Sequence, residues 1–548
     1  MIFSRPLFSF TCTNTFINIC TAACANAISI FLFFFFSSLA FSQNTPLYNA
    51  SPESDVDFLL KNNTVNDNKD ENEEGSKNIP QPFDLSTLPV RWKTERVQEP
   101  LWQSEMFVVQ AGLENRQTVV LVHGLGQAGF TDWLSVIPAL ESEYHVIAID
   151  LPGFGRSSKP EGKYSPGNYS QVLSWVIDRY AHNPVVLVGH SMGGAISLQH
   201  AANYPQQVER LVLVDAAGIL ERTALLKING ELPIDLEKVP KPFRRFGAQL
   251  LNVGRSIIEW TGVTPDPTGI LSESNLAWNA LFNDRENGNA ALALIMHNFS
   301  GAIQSLNKQT YLIWGGDDRI APLRTGYLLA GRLKNSQLSI INGAAHVPMK
   351  SHSVIFNHHL LQAIQQDKVI HNDELFTAEQ LNEGQFEKTE VLKVKKGVLR
   401  CNEQHGVVYS GHFEEVVISE CTGVTLKNLT TQRLRINNSL VDLYNVAVEN
   451  HDGEAVVGVQ SVVTATNARF VGSPSVLSIG SRWDLAGVTI VSREKSTNES
   501  TMEFYKGAIE VKTKSRFVFS VSDLLKPSGA VNLHRVVTGE NIILDDVF

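Results

Sequence analysis

Residues Val185–Ala195 read VVLVGHSMGGA. The run Val185–Val188 predicts a short buried strand, and the glycines after it end that strand at Ser191. Gly189, Ser191 and Gly193 form a G-x-S-x-G pattern. A serine on so tight a strand-to-helix turn carries strained backbone angles, and side chains beside it would collide. Glycine at 189 and 193 removes those collisions. The turn lifts the Ser191 hydroxyl off the strand end, with a helix N-terminus beneath it that favours negative charge. The helix is expected from Ala195 to Tyr204.

Outward from this turn, residues from about Pro82 to Gln365 alternate. Short apolar runs (VVLVHG, HVIAIDLPG, VVLVGHS, RLVLVDAAG, YLIWGGDD, QLSIINGAAH) are separated by helix-length segments. Strands apolar on both faces predict a parallel sheet covered by helices, hence an α/β domain over 83–365. Between Ile219 and about Phe299 helical segments replace the rhythm, which predicts a helical cap.

The 548 residues allow two or three domains, and 43% hydrophobic with 19% charged residues describes an ordinary globular protein. A net charge of −10 argues against a general nucleic-acid role, which needs a basic face. Residues 1–42 differ in texture: Ile28–Phe41 is ISIFLFFFFSSLAF, short for a membrane span and suited to the apolar core of a secretory signal. An uncleaved anchor, giving a membrane tether, is the alternative. The expected location is therefore exported, periplasmic or secreted. Residues 43–82 are a polar tether rich in Asn, Asp, Glu and Ser, and 366–390 a charged linker.

Residues 391–548 form a second region, rich in Val, Thr, Ser and Asn. Ser439–Val446 (SLVDLYNV) aligns with Ser461–Ala468 (SVVTATNA) and with Ser481–Val488 (SRWDLAGV), and Val424–Leu429 fits the same frame. A period near twenty suggests stacked coils. The Asn or Gly at one frame position suits a corner in left-handed backbone conformation, and stacked asparagines can bond along the stack. The pattern resembles the right-handed parallel β-helix of pectin-lyase-like proteins; an all-β sandwich is the alternative. Of five cysteines, Cys12, Cys20 and Cys24 lie in the leader. Cys401 and Cys421 remain as a candidate disulfide between adjacent coils, or as two buried thiols.

The segment from about Phe83 to Gln365 resembles the α/β-hydrolase superfamily, in its capped esterase, lipase and haloperoxidase-like branch. VVLVHGLGQ matches the oxyanion segment, IAIDLPGFGRSS the loop after the next strand, GHSMGG the nucleophile turn, LIWGGDDRIAP the acid loop and INGAAHVP the histidine loop. The resemblance implies Ser191 as nucleophile, His346 as base and Asp318 as the orienting acid, with Asp317 a solvated neighbour and Asp215 the runner-up. It assigns the oxyanion donors to the backbone N–H groups of Leu125 and Met192. His190 is expected to point into packing and His123 to be structural.

These residues imply a serine hydrolase that cleaves carboxylic esters of a small-molecule or lipid substrate and needs no metal or organic cofactor. C–C bond hydrolysis or peracid formation on the same fold is the enzymatic alternative. The rival from another class is a surface protein whose β-rich half binds polysaccharide or a cell-surface partner. The basic run Lys238–Arg245 and the aromatics Phe243, Phe246, Trp260 and Trp278 belong to the expected cap.

Overall fold

The computed structural model describes residues 83–182, 184–220, 286–365, 392–393, 397–450, 452–492, 507–526 and 528–548. The leader, the tether, most of the cap, with its basic run and aromatics, and the linker lie outside the described residues. The chain divides into two compact units, Met1–Glu53 with Glu161–Lys163 and Glu231–Arg285, and Ser54–Pro160 with Tyr164–Gly230 and Glu286–Phe548. Of the first unit only Glu161–Lys163 are described, as part of a turn. The second unit holds both the eight-stranded sheet and the β-rich domain.

Its first half is built on eight strands: β1 (Lys93–Gln98), β2 (Glu105–Ala111), β3 (Thr118–Val122), β4 (His145–Asp150), β5 (Val185–His190), β6 (Val208–Val214), β7 (Gln309–Gly315) and β8 (Ser336–Ile341). They lie in the order β1-β2-β4-β3-β5-β6-β7-β8. From β4 to β8 every pairing is parallel. The expected parallel sheet therefore holds, but β1 and β2 add an antiparallel edge that the pattern of apolar runs did not reveal. β1 alternates exposed and half-buried residues, whereas β3, β4 and β5 are buried at every position, as strands covered on both faces must be.

The described helices of this half include α1 (Pro166–Tyr180), α2 (Met192–Asn203), α3 (Glu286–Ile295), which falls in the interval read as the cap, α4 (Ser300–Ser305), α5 (Leu323–Arg332) and α6 (Ser353–Gln365). Ser165 starts α1, its side-chain oxygen accepting the Asn168 N–H at 3.2 Å ahead of Pro166 in the first turn. Tyr169, Val172, Leu173, Val176 and Ile177 fall on one face and are buried in the core that includes β3 and β5. Truncating Leu173 to Ala would cost about 2–5 kcal/mol. α2 is different: Gly193, Gly194, Ala195 and Ala201 let it lie close on the sheet, and a Cβ on Gly194 would sit 2.8 Å from the Ala216 Cβ.

The second half is a large β-rich domain built on one fifteen-stranded mixed sheet. Most pairings are parallel, between segments about one frame length apart. Leu440–Tyr444 pairs in register with Val462–Thr466, which pairs with Arg482–Ala486. That is the alignment read from the sequence repeat, residue for residue. Antiparallel pairings, Ser515–Lys526 with Gly529–Gly539 and Glu510–Val511 with Ile542–Ile543, close the end. Inward side chains stack into the core, as with the parallel rings of Trp483 and Phe517, 5.8 Å apart. The Ser461 hydroxyl accepts the Ser439 N–H at 3.1 Å, and Ser481 accepts that of Ser461 at 3.1 Å. Ser439 serves the N–H of Cys421 at 3.0 Å, and Cys421 is bonded to Cys401 with Cα atoms 6.7 Å apart.

Candidate active site

Three loops at the C-terminal ends of β5, β7 and β8 converge, the position where ligands gather on open parallel sheets. Ser191 sits between β5 and α2 with φ +53° and ψ −120°, a strained conformation for a residue with a Cβ. Its backbone is clamped: its N–H donates to Val214 O at 2.9 Å, and its carbonyl accepts from Ala195 and Ala217 at 3.2 Å each. The glycines around it are steric necessities. A Cβ on Gly189 would fall 2.3 Å from Gly193 O, and one on Gly193 would fall 2.4 Å from both Val122 O and His123 O.

His346 follows β8 and brings Nε2 to 2.9 Å from Ser191 Oγ. On the other side of the ring, Nδ1 lies 2.8 Å from Asp318 Oδ2. An ionised carboxylate only accepts, so Nδ1 carries the proton and Nε2 is left to accept from the serine hydroxyl. Asp318 follows β7 and its side chain is fully buried. Its other oxygen accepts the N–H groups of Ile320 at 2.8 Å and Ala321 at 3.0 Å, which hold the carboxylate against the imidazole. The structure thus joins Ser191, His346 and Asp318, predicted from three distant segments, in one hydrogen-bonded chain.

Asp215 lies close to this chain but holds no part of it. It has φ +43°, is fully buried, and accepts the Gly315 N–H at 2.8 Å, tying the end of β6 to that of β7. Burial, then the charge of Asp318, pushes its carboxyl well above the usual range. Met192 is the first residue of α2, so its N–H has no partner within the helix. Leu125 follows Gly124, where an added Cβ would approach Ser191 Cβ to 3.0 Å. Both expected oxyanion donors therefore belong to segments that border the serine.

Two supporting residues had no role assigned from sequence. His190 does point away from Ser191 into packing, but its Nε2 donates to the His346 carbonyl at 2.7 Å and so fixes the histidine loop. Burial, then the neighbouring His346, lowers it to about 4, so it is neutral near pH 7. The adjacency of His190 to Ser191 was visible; its partner 156 residues away was not. Asp150 ends β4 fully buried and accepts from Phe130 N at 2.6 Å and Arg156 N at 2.7 Å, which braces the loop after β3. His123 accepts the Leu151 N–H at 2.9 Å, a packing role as expected.

Known proteins resemble this half of the chain. A family model described as the alpha/beta hydrolase fold matches residues 117–251. YugF of Bacillus subtilis, named as an uncharacterized hydrolase, is 30% identical over 254 residues, which are 45% of this chain and 90% of that protein. A 2-hydroxy-6-oxononadienedioate/2-hydroxy-6-oxononatrienedioate hydrolase of Escherichia coli is 27% identical over 253 residues, 44% of this chain and 84% of that one. The crystal structure of a bacterial membrane phospholipase A is similar at 24% identity, with a TM-score of 0.38 over 50% of this chain and 86% of that chain. With the eight-stranded sheet and the serine turn already in place, the match to nearly the whole of YugF decides the matter, and the chain belongs to the alpha/beta hydrolase fold family.

Proposed function

We propose that this hydrolase cleaves carboxylic esters through an acyl-enzyme on Ser191. The observation that carries the reading is the unbroken chain from Ser191 Oγ through His346 to Asp318, at 2.9 and 2.8 Å. Ser191 Oγ attacks the carbonyl carbon as His346 Nε2 takes its proton. The buried Asp318 carboxylate steadies the imidazolium that forms. The N–H groups of Leu125 and Met192 receive the developing oxyanion, a contribution whose loss typically costs about 10²–10³ in rate. His346 then protonates the leaving alcohol, and water, deprotonated by the same nitrogen, releases the acid.

A fluorophosphonate probe tests this directly. The wild-type protein is expected to label, and Ser191→Ala to abolish labelling and ester turnover while the fold persists. Labelling that survives in the variant removes Ser191 from the mechanism.

A second reading keeps the residues and changes the bond. The E. coli relative is named for a hydrolase of 2-hydroxy-6-oxo dienedioates, and C–C hydrolysis of such a diketone would use the same serine and histidine. Parallel assays with aryl esters of increasing acyl length and with a vinylogous 1,5-diketone separate the two. For the remainder of the chain, we propose export through the apolar leader. The β-rich half is read as a parallel β-helix, supported by in-register parallel pairing at the repeat spacing. Binding of polysaccharide by that half is tested by isotherms on the full chain.

A further inference from the structure

α5 is buried along its length, from Arg324 to Ala330, because both halves of the molecule close on it. On one side Gly326 lies against Trp314 of β7, where an added Cβ would be 3.0 Å from the indole. On the other side lies the β-rich domain. Arg324 spends its whole guanidinium there. Nη1 pairs with Asp484 Oδ2 at 3.0 Å, Nη2 donates to the carbonyls of Ala465 and Asp484 at 3.1 Å each, and Nε donates to Thr466 Oγ1 at 2.8 Å. Both side chains of the ion pair are under one-tenth exposed, at 8% and 6%. A buried guanidinium must be matched at each donor, and a planar fork matched on two adjacent strands has one orientation.

The far end of the helix is fixed separately. Arg332 pairs with Asp523 Oδ2 at 2.7 Å and donates to Val521 O at 2.8 Å. Between the two ends Asn467 donates to Tyr327 O at 2.6 Å, so closely packed that Gly331 has no room for a Cβ. Ala486, Val518 and Val521 of the β-rich domain belong to the same apolar cluster as β3 and β5. This is a core shared between the two halves.

α5 also begins directly after the loop that carries Asp318. Ile320 and Ala321 donate to Asp318 Oδ1, Ala321 O receives the Trp314 indole N–H at 2.7 Å, and Pro322 precedes the first turn. Five residues separate Asp318 from Arg324, and all but the turn between them is pinned. We propose that the β-rich domain is a fixed buttress for the acid loop, and that Arg324, clasped by Asp484 and Thr466, is a positioning residue for Asp318. The inference rests on Asp318 being the acid of the proposed serine mechanism. It gives the second half of the chain a part in the chemistry of the first without contact with substrate.

The test uses the full chain, with kcat and KM on an aryl ester normalised to serine titrated by fluorophosphonate. Asp484→Asn keeps shape and removes the charge; Thr466→Val removes one acceptor and keeps the fold if the first variant does not accumulate. Asp523→Asn loosens the other end of α5 and is the control. Displacements of a catalytic group by about 1 Å cost up to about 100-fold, and partial loosening is expected to cost about 10-fold in kcat, with KM within about 2-fold. Because a poorly held Asp318 stabilises the imidazolium less, the acidic limb of kcat/KM moves to lower pH. Asp523→Asn is expected to lower thermal stability and leave both quantities unchanged. Wild-type kcat and pH profile in Asp484→Asn or Thr466→Val overturn the proposal, as does an equal effect from Asp523→Asn. If Ser191→Ala still labels, the serine mechanism fails first and the inference falls with it.

Discussion

The two halves of this molecule use positive φ for opposite ends. In the hydrolase half, the described non-glycine residues with left-handed φ are Gln103, Ser191 and Asp215, and two of the three sit at the site. In the β-rich half such residues recur: Glu403, Glu420, Asn438 and Gln460 at one frame position, Asn428, Asn445 and Asn467 at another. Repetition at the frame spacing marks architecture, because each repeat bends at the same frame position. An isolated strained residue where a strand meets a helix marks function, because nothing in the sheet requires it and the surrounding hydrogen bonds must hold it there.

The comparison breaks most visibly at the two aspartates beside the strain. Asp318→Asn leaves the geometry but offers His346 Nδ1 the wrong partner, and kcat is expected to fall by about 10⁴. Asp215 accepts the Gly315 N–H, which an asparagine oxygen also accepts, so Asp215→Asn should cost less than about 10-fold. Steady-state kinetics on the two variants, with thermal melts to confirm folding, decides which carboxylate acts. A larger loss in Asp215→Asn would transfer the acid role to β6.

Much of the contrast was legible beforehand because both halves write it in glycine, asparagine and spacing. The serine turn announced itself through Gly189 and Gly193, which the backbone carbonyls of Val122, His123 and Gly193 make compulsory. The Ser–Asn frame gave the strand register of the repeat because each frame residue occupies one fixed corner or ladder position. β1 was missed since a half-exposed edge strand shows no continuous apolar run, whereas β2 does carry one, Met106–Val109, but nothing in it signals that its partners run antiparallel. The Arg324–Asp484 clasp was missed for a different reason. Its partners are 160 residues apart, and a charged residue in a helix reads as solvated until a second domain covers it.

Acid should act on the halves unequally, and His200 gives the cleanest measure. It lies on α2 away from the triad, donates from Nδ1 to Ser170 O at 3.0 Å, and is lowered to about 4 by burial. The unfolded chain therefore binds a proton near pH 6.5 that the folded chain refuses until about 4. Stability is full above pH 6.5 and falls as pH drops through that window, by about 3 kcal/mol for this residue. Denaturant unfolding of wild type and His200→Gln at pH 7 and pH 4.5 should show the variant losing less. The raised carboxyls of Asp150 and Asp215 act with the opposite sign, but they are common to both proteins and cancel in the difference.

The smallest effect is expected where strain is architectural. Asn445 is exposed, has φ +52°, and donates from Nδ2 to Asn428 Oδ1 at 2.9 Å. Asn445→Ala keeps the Cβ at a left-handed position but loses the bond and the amide that makes asparagine tolerant of that conformation, a cost of about 1 kcal/mol. Asn445→Gly loses the bond but relieves the penalty, so it should lie within a few tenths of wild type, about 0.5 kcal/mol. Neither should alter kcat, since the exposed Asn445 amide bonds Asn428 and takes no part in the clasp of Asp484 and Thr466 on Arg324. If alanine and glycine behave alike, the side-chain ladder and not the backbone corner explains why asparagine stands there. The repeat would then owe its period to stacked amides, and the distinction between strain for architecture and strain for chemistry would have to rest on Ser191 alone.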